Sequence, residues 1–301
     1  MTTISKEARG RIEALPLWQG ALTIERLEGG LSNEGYIVSD AARQGDDARL
    51  VVRFGDDVPV HHVSRAHEAM ATRAAHRAGF APELVYAGDG ILAVRFIVGR
   101  TYTATDVHNA LPRIVDLLRR FHREMPTHVG GPGRLFSPFH IIRDYARTLE
   151  IAGSRFAPRL NEFRNASAAF EACQPAMHLV FGHSDLLPAN LIDDGKRLWL
   201  IDYEYAGYAS PLFDLANLAS NAEFSSADDE ALLQAYFGQT PDTALRHALT
   251  AMKCASLLRE AMWSMVSEHH LDAPGVDYAA YSDEVLERYE REHARFAARS
   301  A

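Results

Sequence analysis

Polar and apolar positions alternate along the first hundred residues and then change period. Ala21–Glu28 alternates in the manner of a strand, and the paired glycines that follow break the pattern. Gly35–Ser39 and Leu50–Phe54 are rich in Tyr, Ile and Val and are separated by a polar, charged turn, which predicts an antiparallel pair. Ser64–Arg77 has helical character, with Gly79 as its stop and Pro82 beyond. Leu84–Ala87 and Ile91–Val98 flank Gly88-Asp89-Gly90, a hairpin signal. This segment reads as about five strands with one inserted helix.

After Gly99 the period becomes helical. Leu111, Ile114, Val115, Leu118 and Phe121 fall at steps of three and four within Leu111–Met125, one face of a helix. Phe156–Cys173, Ala227–Phe237, Thr243–Glu268 and Tyr281–Arg299 predict further helices. Leu191–Ile192 and Leu198–Asp202 predict two short strands around the turn Asp193-Asp194-Gly195. The expected class is α+β. Residues 1–98 would form a small antiparallel β lobe with one inserted helix, and residues 99–301 a larger, mainly helical lobe. Clefts between lobes commonly take small molecules.

Composition narrows the function classes. The 301 residues are 47% hydrophobic and 24% charged, which excludes disordered and fibrous chains. The net charge of −9 argues against a sequence-independent grip on nucleic acid, which needs an excess of Lys and Arg. Cys173 and Cys254 are too few for a disulfide framework or a four-thiolate zinc site. Fourteen histidines include the pairs His61-His62 and His269-His270, but sequence neighbours on a helix do not face one ion. No uncharged apolar run approaches the ~18 residues of a membrane span. The opening residues carry charge where a secretory peptide needs an apolar stretch. The expectation is a cytoplasmic protein with neither a membrane span nor a nucleic-acid partner. Oligomeric state stays open, a homodimer included.

The chemistry concentrates at His183-Ser184-Asp185-Leu186-Leu187-Pro188-Ala189-Asn190, a His-x-Asp followed by four residues and Asn. Twelve residues further on comes Asp202, in Leu200-Ile201-Asp202-Tyr203-Glu204. Phosphoryl transfer from a nucleotide needs one carboxylate at the attacking hydroxyl, and an amide oxygen and second carboxylate to hold Mg2+ against the phosphates. Asp185 fits the first role; Asn190 and Asp202 fit the others as hard oxygen ligands. Asp and Asn also cap turns, which is the bland alternative. The Asp202 strand at the right distance favours chemistry. Upstream, Gly29-Gly30-Leu31-Ser32-Asn33 either exposes backbone N–H groups to phosphate or closes a tight hairpin. Arg53 in the apolar run Val51-Val52-Arg53-Phe54 is either a phosphate ligand paired with a carboxylate, Glu68 by position, or the solvent face of an alternating strand.

With these pieces in view, the chain resembles the choline/ethanolamine kinase family, in the wider group of aminoglycoside phosphotransferases and protein kinase-like folds. The resemblance runs from about Leu27 to Tyr289. It rests on Gly29–Asn33, Val-Val-Arg-Phe-Gly, Gly79–Leu84 and His183–Asn190. Ile201–Tyr205, Phe213–Asn217 and Met262-Trp263-Ser264-Met265-Val266 complete it. It implies a protein kinase-like bilobal fold and a kinase using ATP and Mg2+ on a small cationic alcohol. By similarity Asp185 would be the catalytic base, and Asn190 and Asp202 the metal ligands. Gly30, Leu31, Ser32, Asn33 and Arg53 would meet ATP phosphates, with Glu68 orienting Arg53, and the strand end at Arg95 and Ile97 would meet the adenine through its backbone. Tyr205, Trp263 and Tyr281 would wall the acceptor pocket, although aromatics at helical spacing are as readily core. The chain departs from the family at Glu260, where a second Trp is usual, and at Asn221, where an acid is usual, with Glu223 close by. Leu187 replaces a polar residue. Glu260 adds a carboxylate and removes a π face, which favours an amine that can donate hydrogen bonds. Two alternatives remain: an aminoglycoside or other metabolite as acceptor, and a non-catalytic nucleotide-binding regulator.

Overall fold

The alternation of the first hundred residues is realised as a five-stranded antiparallel sheet. The computed structural model describes residues 4–27, 34–273 and 275–300. The chain divides into two compact units, residues 1–100 with 192–204, and residues 101–191 with 205–301. The segment 192–204 thus leaves the second half of the sequence to join the first unit.

The first unit begins with α1 (Lys6–Glu13), which the charged opening residues had concealed. Ser5 caps it by accepting from the Ala8 N–H at 3.0 Å. The sheet follows with β1 (Leu22–Leu27), β2 (Glu34–Asp40) and β3 (Arg49–Phe54). Then come α2 (Arg65–Arg77), β4 (Leu84–Gly88) and β5 (Ile91–Arg95). The strand order is β1-β2-β3-β5-β4. Period two sorts each strand into two faces. Tyr36, Val38, Leu50, Val52, Phe54, Ile91 and Ala93 share one core with Ala8 and Ile12 of the first helix and Leu15 just past its end. Arg53 falls between Val52 and Phe54 and therefore on the opposite face. The β4–β5 turn has Asp89 at φ 52° and Gly90 at φ 69°. Two left-handed residues in succession are what a tight hairpin matching the strand twist requires. A Cβ on Gly90 would also stand 2.6 Å from Asp56 Oδ1. β5 ends at Arg95 rather than Val98, one ladder bond further on being Phe96 N–H to Arg49 O at 3.1 Å.

Past β6 (Arg100–Thr101), helices dominate: α3 (Ala104–Asn109), α4 (Leu111–Glu124), α5 (Pro138–Ile151) and α6 (Leu160–Ala172). Short strands β7 (Val180–Gly182), β8 (Leu191–Asp193), β9 (Leu198–Leu200) and β10 (Gly207–Ala209) surround the motif region, β7 pairing with β10 and β8 with β9. The chain finishes with α7 (Pro211–Asn221), α8 (Ser226–Phe237), α9 (Thr243–His270) and α10 (Tyr278–Ser300). α9 is the core of its unit and is buried on all sides from Ala248 to Ser267. It packs against α5, α6, α7 and α10. α7 is buried from Pro211 to Ser220, so it lacks the one-sided stripe by which a helix shows itself in a sequence. Among the described residues no helix is long and apolar enough to cross a membrane.

Candidate active site

In the first unit, β3 and α2 bring Arg53 and Glu68 together as an ion pair. Glu68 is 1% exposed. Arg53 also donates from Nη1 to Asp202 Oδ1 at 2.9 Å. A second arginine completes the network: Arg65 Nη1 reaches Glu68 Oε2 at 2.7 Å and Glu204 Oε2 at 2.9 Å. Burial works against the Arg53 cation, and Asp202 and Glu204 outweigh it, holding its pKa above the ordinary value. Burial and then the charge of Asp202 push the Glu204 carboxyl up, with Arg53 and Arg65 pulling the other way. Two cations and three carboxylates thus sustain one another in a place where any one alone would be costly. Beside them lies a cavity of about 340 Å³ lined by Arg53, Arg65, Glu68, Arg73, Gly88 and Leu92. Asp202 sits at φ 67°, a left-handed backbone that a non-glycine residue holds only when its surroundings over-determine it.

Of the other nucleotide-side candidates, Arg95 closes β5 and donates from Nε to Glu83 Oε2 at 3.1 Å. Ile97 lies past the strand end, in irregular backbone. Gly30, Leu31, Ser32 and Asn33 lie outside the described residues.

In the second unit, residues 183–190 form a loop between β7 and β8, closed by a 3₁₀ turn at Pro188–Asn190. α7 anchors it from below. Asp214 accepts the backbone N–H groups of His183 and Ser184, at Oδ2 and Oδ1 respectively, both at 2.8 Å. One turn on, Asn217 Oδ1 accepts the Leu186 N–H at 2.5 Å, and its Nδ2 donates to Ser256 Oγ at 3.0 Å. His122 of α4 braces Asp214 from Nε2 at 2.8 Å and meets the Tyr236 hydroxyl through Nδ1 at 2.7 Å. Ser184 is held at φ 62°. The loop is therefore fixed by three backbone donors gripped from one helix. Asn190 donates from Nδ2 to the Asp185 carbonyl at 2.9 Å, and lies 3.5 Å from Asp185 Oδ2. That fixes the amide's orientation and leaves Oδ1 as its acceptor atom.

The acceptor-side candidates lie on α7, α9, α10 and the segment before β10. Glu260 accepts a hydrogen bond from the Tyr281 hydroxyl. Burial first, then the charges of Glu260 and Asp185, push the Tyr281 phenol well above its ordinary range. Tyr205 is 9% and Trp263 8% exposed, and the Trp263 ring stands edge-on to Tyr278 at 6.0 Å. Asn221 closes α7, and its Oδ1 accepts from Arg288 at 3.4 Å.

The model of the phosphotransferase enzyme family matches residues 23–249. A choline/ethanolamine kinase family protein from Mesorhizobium loti, solved by crystallography, shares 30% identity over 97% of both chains with a TM-score of 0.73. The chain belongs to the phosphotransferase enzyme family and, within it, to the choline/ethanolamine kinase family. Protein LicA from Haemophilus influenzae is 26% identical over 264 residues, which span 83% of this chain and 75% of LicA. The crystal structure of choline kinase LicA from Streptococcus pneumoniae shares the fold, with a TM-score of 0.76 at 23% identity over 97% of this chain and 98% of that one. The resemblance read from the motifs and the α+β kinase-like fold both hold.

In this choline/ethanolamine kinase family member, Arg65, His122, Asp214, Asn217 and Arg259 do not stand out in the sequence as site residues. Arg65 and Glu68 stand three apart on one helix face, a legible spacing for a shared partner. Asp214 and Asn217 are also three apart, inside the Phe213–Asn217 motif. Nothing in the sequence points to His122, whose partners lie more than ninety residues away.

Proposed function

We propose that this chain is a cytoplasmic kinase that transfers the γ-phosphoryl group of ATP to the hydroxyl of a small cationic alcohol of the choline or ethanolamine kind. The observation that carries the reading is the anchored loop: three backbone N–H groups tied to Asp214 and Asn217 hold Asp185 and Asn190 in one rigid turn. Positioning is most of what a protein contributes to phosphoryl transfer. The acceptor oxygen bonds to the γ-phosphorus, the bond from that phosphorus to the bridging oxygen of ADP breaks, and the hydroxyl proton passes to Asp185. Arg53, oriented by Glu68, neutralises phosphate charge.

The donor chemistry at Asn190 and Asp202 fits Mg2+: one amide oxygen and one carboxylate, both hard ligands, with the Asn190 Nδ2 already engaged by the Asp185 carbonyl. When bound, the ion draws charge from the phosphate oxygens. Trp263 and Tyr281 supply aromatic faces for an ammonium and Glu260 a carboxylate.

The test is ATP consumption over a panel of choline, ethanolamine, other amino alcohols and an aminoglycoside. Asp185→Asn is expected to lower turnover by about a thousandfold, within the range for a lost general base, while nucleotide binding by titration calorimetry persists. Near-normal turnover in that variant, or no Mg2+-dependent turnover on any choline-like or amino alcohol, would overturn the reading.

A further inference from the structure

Arg259 precedes Glu260 on α9 and is 4% exposed. Its guanidinium lies over the Tyr205 ring, 4.8 Å from the centroid, and 5.7 Å from that of Phe136. Among the described residues its Nε has no hydrogen-bond partner, and the guanidinium closes no ion pair. The carboxylate next to it in the chain is committed elsewhere, because Glu260 takes the Tyr281 hydroxyl. Burial works against the cation; Tyr205, Tyr145, Asp185 and Glu260 outweigh it at a distance without bonding to it.

A buried charge is costly unless its donors are engaged. Stacking on Tyr205 offsets part of that cost but occupies none of the five N–H groups. Those donors form a planar fork whose complement is a carboxylate or another flat oxyanion. The same contact changes the acceptor pocket. The face of Tyr205, which would otherwise receive a quaternary ammonium, already carries a cation. The Asp185 and Glu260 carboxylates lie close enough to act on this cation and leave its donors unused.

We propose that Arg259 reads a carboxylate on the acceptor, which is therefore a zwitterionic amino alcohol. Its hydroxyl meets Asp185, its ammonium lies against Glu260 and Tyr281, and its carboxylate takes the guanidinium fork. The proposal rests on the kinase reading above and changes the acceptor from a simple cationic alcohol to an amino alcohol that also carries a carboxylate.

Matched pairs test it, because L-serine and ethanolamine, and L-homoserine and 3-aminopropanol, differ only by the carboxylate. Calorimetric titration of the full chain with each compound reads binding, and ATP consumption is followed separately, so failure of the kinase reading shows as absent turnover whatever the binding ratio. In at least one pair the carboxylated member is expected to bind tenfold or more tightly. Arg259→Leu should abolish that advantage through KM, and Arg259→Lys should restore part of it; thermal unfolding verifies that both variants fold. Equal or tighter binding of the decarboxylated member in both pairs would overturn the proposal. So would a loss of kcat in Arg259→Leu that is equal for both members with KM unchanged, since that would place the guanidinium on the transferring phosphoryl group.

Discussion

His122 Nε2 stands 2.8 Å from Asp214 Oδ2, and the carboxylate so held grips the backbone of His183 and Ser184. A histidine on α4 thereby sets the shape of the Asp185 loop without coming near the chemistry. Burial would raise the Asp214 carboxyl, but the hydrogen bond and charge of His122, and then the backbone bond from His183, hold it below the ordinary value. A lowered carboxylate contributes stability that is present above its unfolded pKa and is lost as pH falls through the folded one.

Asp214→Asn keeps the shape and removes the charge. One of its two terminal atoms becomes an NH2 group that cannot accept a backbone N–H. The expected cost is about 3 kcal/mol, the scale for breaking a buried charged pair, with turnover falling at least about tenfold. Urea unfolding at neutral and acid pH checks both points: the gap between wild type and variant should close as the medium becomes acidic.

Arg53→Met should leave the buried Glu68 carboxylate with Arg65 as its remaining charged partner. Stability should fall by about 3 kcal/mol, and the KM for ATP should rise at least about tenfold. Adding Glu68→Gln should return most of the stability and none of the activity, because the double variant buries no uncompensated charge yet still lacks the cation proposed to meet the phosphates. Recovery of turnover in the double variant would show that Arg53 serves only to neutralise Glu68.

Glu204 should tolerate Gln better than Ala. Burial and Asp202 already disfavour its charge, so Glu204→Gln removes a penalised ion while keeping an oxygen for Arg65 at the 2.9 Å contact. Glu204→Ala leaves that contact empty and a void. Thermal unfolding should place Gln within about 1 kcal/mol of wild type and Ala at least about 2 kcal/mol below it.

The β8–β9 turn should loosen in acid. Asp194 accepts the backbone N–H of Arg197 and of Lys196 and the indole N–H of Trp199, all at 2.8 Å. The Arg197 bond leads in lowering its pKa from 3.8 to about 2, against a smaller opposing effect of burial. Its contribution is complete above about pH 4 and disappears as pH falls through about 2. The Trp199 indole N–H signal in an NMR titration should move in that window, and Asp194→Ala should shift it at neutral pH.

The sequence by itself determined β1 to β5, β8 and β9 and the helices α2, α4, α6, α8, α9 and α10, because period two and period 3.6 are local properties of the chain. It also placed Asp185, Asn190 and Asp202 as candidates, since their spacing is local to one strand–loop–strand segment. Strand and helix position alone pair Arg53 with Glu68, and the two side chains meet. What it could not determine was what holds the loop. Asp214, Asn217 and His122 act across gaps of about thirty to ninety residues. Hydrogen bonds at such range depend on which helices pack together, a property of the whole folded chain and not of any window along it. The all-round burial of α7 hid it for the same reason, since a helix covered on every side shows no period. Arg259 is the sharpest case: in the sequence it is one more charge on a helix, and only the packing of α9 buries it over Tyr205 with its donors unspent.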